Sequence, residues 1–179
     1  DVPEKQEALN AVLLQDAQAF LEQNFAGSDG GFSGVLDFSQ VYRTRQYLSF
    51  ICMGTLVSES SPYPRVVYYV TNLDLQTGKR AETPVRGQAQ ALAETIRSGE
   101  GYGILTTSQE TMQAQKAYLT GLSQEEIAAT LAQCNFTEEG DSPLCFSYPL
   151  GQDNFAIYYP VPHSMGDYAI IQIRTDGIK

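Results

Sequence analysis

The first strong pattern along the chain is helical. Between residues 3 and 25, Leu9, Val12, Leu13, Ala17, Phe20 and Leu21 recur at i, i+3 and i+4. That spacing gathers apolar side chains on one face of an α-helix. Pro3 suits a first turn, and Glu4 and Glu7 lie near the positive end of the helix dipole. Residues 26–34 hold four glycines in nine positions and end the helix. The period then changes to two. Residues 35–43, 46–57 and 65–75 are rich in Val, Leu, Ile, Phe and Tyr and read as strands. In the second of these, Leu48, Phe50, Cys52 and Leu56 share one face, and Tyr47, Ser49, Ile51 and Met53 the other. Both faces are apolar enough for a central strand covered on both sides. Residues 43–46 read as a turn and 58–64 as a loop. Residues 74–80 are a turn with a mechanism: Asp74 caps the local backbone and Gly78 supplies a positive φ.

Helical spacing returns at 84–98, with Pro84 early, Ala89, Leu92, Ala93 and Ile96 inward and Gly99 at the end. A further helix starts at Thr107 or Ser108 and runs to Leu119. Another begins at Ser123, where Ser123-Gln124-Glu125-Glu126 is a capping box, and turns Ile127, Leu131 and Cys134 inward. Three short strands close the chain, at 144–148, 154–159 and 167–174. The order α-βββ-ααα-βββ predicts a single α+β domain over 1–179. Its sheet is expected to be largely antiparallel, of about six strands, with helices packed against it. Its parts are a leading helix (1–25), a first strand group (35–83), a helical insert (84–134) and closing strands (144–179).

Composition narrows the function. The 179 residues are 42% apolar and 18% charged, an ordinary globular balance. No run of ~18 apolar residues is present, so no membrane-spanning helix is expected. The formal charge of −10 disfavours nucleic acid as a partner. The charge is unevenly spread. Residues 43–86 carry six basic and three acidic residues, whereas 98–170 oppose nine acids to Lys116 alone. That acidic half suits either a solvated surface or an encounter with a cationic partner. The chain opens at Asp1 with no charged n-region and no apolar h-region. It reads as trimmed or mature, attached to a membrane through a removed anchor if at all. Cys134 and Cys145 bracket a step that a disulfide would close in an oxidising compartment; otherwise all three cysteines are reduced thiols. Cys52 reads as a buried free thiol.

Candidate chemistry is sparse. His163 is the only histidine, and no Gly-x-Ser-x-Gly elbow accompanies it. No zinc or calcium spacing occurs, and no cofactor is expected. Gly101-Tyr102-Gly103 and Gly78-Lys79 each lack the rest of a phosphate-binding motif. The paired carboxylates Glu125/Glu126 and Glu138/Glu139 are sequence neighbours, which diverge by about 100° on a helix. No catalytic or metal-binding residue is therefore assigned. Eleven tyrosines with no tryptophan remain. Tyrosine serves sheet packing as well as recognition surfaces. A rim built by loops 58–64 and 160–168 is the preferred binding surface, with Tyr63, Tyr68, Tyr158, Tyr159, His163 and Tyr168 as candidates.

Two stretches carry a family resemblance. One is Gln46-Tyr47-Leu48-Ser49-Phe50 followed by residues 69–80, ending in Asp74-Leu75-Gln76-Thr77-Gly78-Lys79-Arg80. The other is Phe155-Ala156-Ile157-Tyr158-Tyr159, a Pro-rich loop, Gly166 and Tyr168-Ala169-Ile170-Ile171. Together they resemble the extracellular domain of RsiV-type anti-sigma factors, which sense lysozyme. The same domain accompanies some secreted peptidoglycan deacetylases and occurs alone in secreted or lipid-anchored proteins. The resemblance spans nearly the whole chain. It implies a non-catalytic binding or sensor domain at the cell surface or outside the cell. Its partner would be a cationic, lysozyme-like protein or a cell-wall glycan. Members often carry Gly and His in the loop after the second strand; here that segment reads Ser58-Glu59-Ser60-Ser61-Pro62-Tyr63-Pro64. The rival expectations are an accessory module of a peptidoglycan-modifying enzyme, or a cell-wall hydrolase using His163 with Asp153 or Asp167.

Overall fold

The computed structural model describes residues 2–25, 32–59, 61–138, 140 and 142–175. They form an α+β protein whose strands pair antiparallel in two separate sheets of four. The expected single sheet of about six strands is thus replaced by two smaller ones. The chain divides into two compact units. The first is Asp1–Glu82 with Phe136–Ser142, and the second is Thr83–Asn135 with Pro143–Lys179.

The first unit holds helix α1 (Val2–Phe25) and strands β1 (Phe32–Arg43), β2 (Tyr47–Ser58), β3 (Ser61–Asp74) and β4 (Lys79–Arg80), in spatial order β1-β2-β3-β4. The glycine-rich break at 26–31 lies outside the described residues. Strand β3 begins at Ser61, so the loop expected at 58–64 is mostly strand. Ser58 pairs with Ser61 across the β2–β3 hairpin. The register places Phe38 opposite Cys52, and Cys52 opposite Tyr69. Gly54 has a steric reason to lack a side chain. A Cβ there would meet Leu36 and sit 2.5 Å from the Val35 carbonyl oxygen of the neighbouring strand.

Helix α1 packs on β3 and β4 through Val12, Asp16 and Phe20, all buried, and the Phe20 ring lies 4.7 Å from that of Tyr69. Leu21, expected inward, is exposed. One turn before Phe20, the position facing the sheet is the polar Asp16. Its Oδ1 accepts from Arg80 Nε at 2.9 Å and Nη2 at 2.7 Å, and its Oδ2 accepts from Thr71 Oγ1 at 2.7 Å. Arg80 also lies 3.5 Å from Glu138. The turn after β3 forms as its residues dictate. Asp74 Oδ1 accepts from the amides of Gln76 and Thr77, and Gly78 takes φ 74°.

The second unit holds α2 (Pro84–Gly87), α3 (Ala89–Ser98), β5 (Tyr102–Ile104), α4 (Gln109–Gly121), α5 (Gln124–Leu131), β6 (Phe146–Pro149), β7 (Asn154–Pro160), a 3₁₀ turn at His163–Met165, and β8 (Tyr168–Arg174). The single helix expected at 84–98 is broken at Gln88. The sheet order is β5-β8-β7-β6. Strand β5 has no counterpart in the sequence pattern, since three residues are too few to show a period. Phe155, Ile157, Tyr159, Ala169, Ile171 and Ile173 line one sheet face. They share a core with Leu92, Ile96, Leu119, Ile127 and Leu131 of α3, α4 and α5. The expected capping box is present. Ser123 Oγ accepts from the Glu126 amide, and Glu126 Oε2 accepts from the Ser123 amide at 2.8 Å. The Ser123 amide and hydroxyl both donate to Glu126 Oε2 and hold this exposed carboxyl below its usual range.

Candidate functional site

The first unit leaves part of its sheet open. Alternation puts Val35, Met53, Thr55, Val57, Val66 and Tyr68 on the face turned away from α1. Val35 pairs with Thr55 and Thr55 with Val66; Asp37 pairs with Met53 and Met53 with Tyr68. Farther along the same face Ser49, Ile51, Val70 and Asn72 are buried. The near end is not: Val35 is 69% exposed, and Met53 and Val57 are also exposed. The double covering expected for the second strand therefore holds for only part of its length. Strand β1 ends the sheet order, so its outer edge meets no strand of this sheet. A long edge with an apolar face beside it is a ready template for another polypeptide.

The six candidate residues divide between the two units. Tyr63, 68% exposed, and Tyr68, half-buried, lie on β3 in the first unit. Tyr158, Tyr159, His163 and Tyr168 belong to the second unit. Two of these four are core residues. Tyr158 is 7% exposed, its ring 6.2 Å from that of Tyr148. Tyr159 is 3% exposed, and its hydroxyl donates to Thr130 Oγ1 at 3.3 Å. Burial raises the Tyr159 hydroxyl above its ordinary pKa. Strand alternation sends these neighbours to opposite faces, and both faces are covered there. The exposed apolar end of the β1–β2 hairpin carries no mark of its own in the sequence. Valines and a methionine on strands look like core until the sheet shows which end is left open.

His163 meets one of its proposed partners. Its Nδ1 lies 3.0 Å from Asp167 Oδ1, with the imidazole 56% exposed and the carboxylate 12%. Asp167 takes φ 67° and follows Gly166 at φ 96°. Gln115, buried on α4, donates from Nε2 to the Met165 and Tyr168 carbonyls and anchors this corner. Asp153 is elsewhere. It precedes β7, whose other end leads to His163, and seven residues of strand span about 20 Å.

A groove of about 530 Å³ opens between α2–α3 and α5, lined by Arg86, Gln88, Gln90, Glu125 and alanines. Gln88 Oε1 is buried there with no hydrogen-bond partner among the described residues. No helix among the described residues is long and apolar enough to cross a membrane. Among the described residues, no group of three or more His, Cys, Asp and Glu side chains converges as a metal site would require. No family model matches the chain, and no curated protein matches it.

Proposed function

We propose that the protein is a non-catalytic binding or sensor domain of a bacterial cell-surface or secreted protein, and that it captures a cationic, lysozyme-like protein. The observation that supports this most is the exposed apolar end of the first sheet, at Val35, Met53 and Val57, beside the open edge of β1. The charge of that unit points the same way. It holds thirteen acidic and six basic residues, a net of −7. An apolar patch in an acidic field suits a partner that is steered by charge and held by burial. The family resemblance supplies lysozyme as the first partner to try. A glycan would instead want exposed aromatic platforms; of the six candidates Tyr63 is exposed, whereas Tyr158 and Tyr159 are buried.

Calorimetric titration with lysozyme at about 50 and 300 mM salt tests this, since screening weakens a charge-steered complex. Binding is expected, weaker at the higher salt. Met53→Asp should raise Kd about tenfold, the loss of roughly 1.4 kcal/mol of contact. No heat at either salt removes the lysozyme reading and brings cell-wall fragments forward.

The His163–Asp167 contact favours a second reading, a cell-wall hydrolase in which Asp167 orients the imidazole as acid–base. That reading expects peptidoglycan turnover that disappears in His163→Ala. Turnover retained in the variant takes His163 out of the chemistry.

A further inference from the structure

We propose that Cys134 and Cys145 are an oxidisable pair, closing as a disulfide that ties the end of α5 to the start of β6. The backbone brings the two residues together. They form an isolated parallel β-bridge. It is held on both sides, by the Asn135 amide donating to the Cys145 carbonyl at 2.9 Å and the Leu144 amide donating to the Gln133 carbonyl at 3.0 Å. Residues paired across strands lie about 4.8 Å apart. That falls inside the Cα separation of about 4.4–6.8 Å that a disulfide spans. Both thiols are buried, and the Cys145 thiol donates to the Thr130 carbonyl at 3.5 Å. Cys134 is further fixed by its amide, which donates to the Leu131 carbonyl at the end of α5.

Residues 136–142 belong to the first unit, and Cys134 and Cys145 lie in the second on either side of them in the chain. Cys52 is a poor competitor. Its sulfur accepts from the Tyr69 hydroxyl, and burial pushes its pKa up to about 11. Burial raises the Cys145 thiol as well, so what favours the Cys134–Cys145 pair is the proximity of its partner across the bridge, not its acidity.

The chemistry needs a disulfide donor, for which oxidised glutathione serves. One cysteine thiolate attacks it, expels one glutathione thiolate and forms a mixed disulfide. The second cysteine thiolate then displaces the other glutathione. Two cysteine thiols become one S–S bond, and two electrons and two protons pass to the glutathione pair. The place where this happens in the cell rests on the extracellular reading above; the reaction itself does not, and its test involves no binding partner.

The test starts from fully reduced protein incubated with oxidised and reduced glutathione, quenched in acid, then denatured and alkylated for mass spectrometry. The expected product carries one alkylated thiol, at Cys52, and weighs about 2 Da less than the reduced chain before alkylation is counted. Proteolysis should yield a linked peptide pair containing Cys134 and Cys145. Closure in denaturant should need at least about tenfold more oxidised glutathione, because the fold supplies the proximity. Cys134→Ser should show two alkylated thiols under the same conditions. Three alkylated thiols in the native protein, a linked peptide containing Cys52, or equal sensitivity with and without denaturant would each overturn the proposal.

Discussion

Replacing Asp16 by Ala is expected to destabilise the first unit by about 3–5 kcal/mol, the cost of removing a buried side chain that accepts two hydrogen bonds from Arg80 and one from Thr71. The Arg80 side chain is 12% exposed and Asp16 is 1% exposed. In the variant, Arg80 keeps Glu138 at 3.5 Å, a largely exposed carboxylate that screens poorly for a buried one. Thr71 also loses its acceptor at 2.7 Å. Denaturant unfolding measures the loss. Asp16→Leu combined with Arg80→Met should recover much of it, since an apolar pair leaves no charge uncompensated. Recovery no better than the single variant would argue against the ion pair as the cause.

The same residue sets a pH dependence. Burial outweighs the hydrogen bonds from Thr71 and Arg80, so the Asp16 carboxyl titrates above its ordinary 3.8. The folded state therefore binds its proton more tightly than the unfolded chain. Stability from this group is fully present below 3.8 and falls as pH rises through the folded value. Compared with Asp16→Asn, the wild type should gain stability on acidification through that window. A stability difference that stays flat with pH would show that Asp16 titrates normally.

In the second unit the largest effect is expected at Asn135. It takes φ 65°, a left-handed conformation that asparagine tolerates better than most residues. Its Oδ1 accepts from the Ser147 amide at 2.7 Å. Its Nδ2 donates to Ser147 Oγ at 2.8 Å and to Thr83 Oγ1 at 3.1 Å. Those two hydroxyls are themselves 2.8 Å apart. One side chain thus joins the chain before α2, the end of α5 and strand β6. Asn135→Ala removes three hydrogen bonds from a buried network and adds left-handed strain, together about 2–5 kcal/mol. Asn135→Gly separates the two contributions. Glycine relieves the strain and restores none of the bonds, so it should regain about 1 kcal/mol and no more. Full recovery with glycine would mean that backbone conformation alone dictates this residue.

These two residues also mark where reading the chain stops. Asp16 occupies an inward position on α1, where its polarity argues for solvent. What places it inside is an arginine 64 residues later and a threonine 55 residues later. Asn135-Phe136-Thr137 looks like a chance sequon, and nothing near it announces Ser147 or Thr83 as partners. The tyrosines show the converse. Tyr63 and Tyr158 are alike in a linear reading, each aromatic beside a proline or another tyrosine. One is on an exposed strand end, and the other lies under a covered sheet face. Asp153 and Asp167 are equally eligible partners for His163 until the length of β7 separates one of them and the turn at Gly166 presents the other.

What the sequence determined by itself is therefore local. The period of three to four residues located α1 and the later helices, and the period of two located the long strands. Asp74 and Gly78 specified the turn between β3 and β4, and Ser123 with Glu126 specified the start of α5. Each of these depends on atoms within about four residues of one another, whose geometry the backbone dictates. The tertiary structure alone decided that the strands form two sheets, that Tyr102–Ile104 joins one as an edge, and that Cys134 faces Cys145. It also decided which apolar strand residues stay in water. Strand pairing and burial are set by contacts between distant segments, and many local sequences are compatible with the same pairing. A residue's chemistry shows what it is able to do, but only its neighbours in space decide whether it packs, pairs or meets a partner.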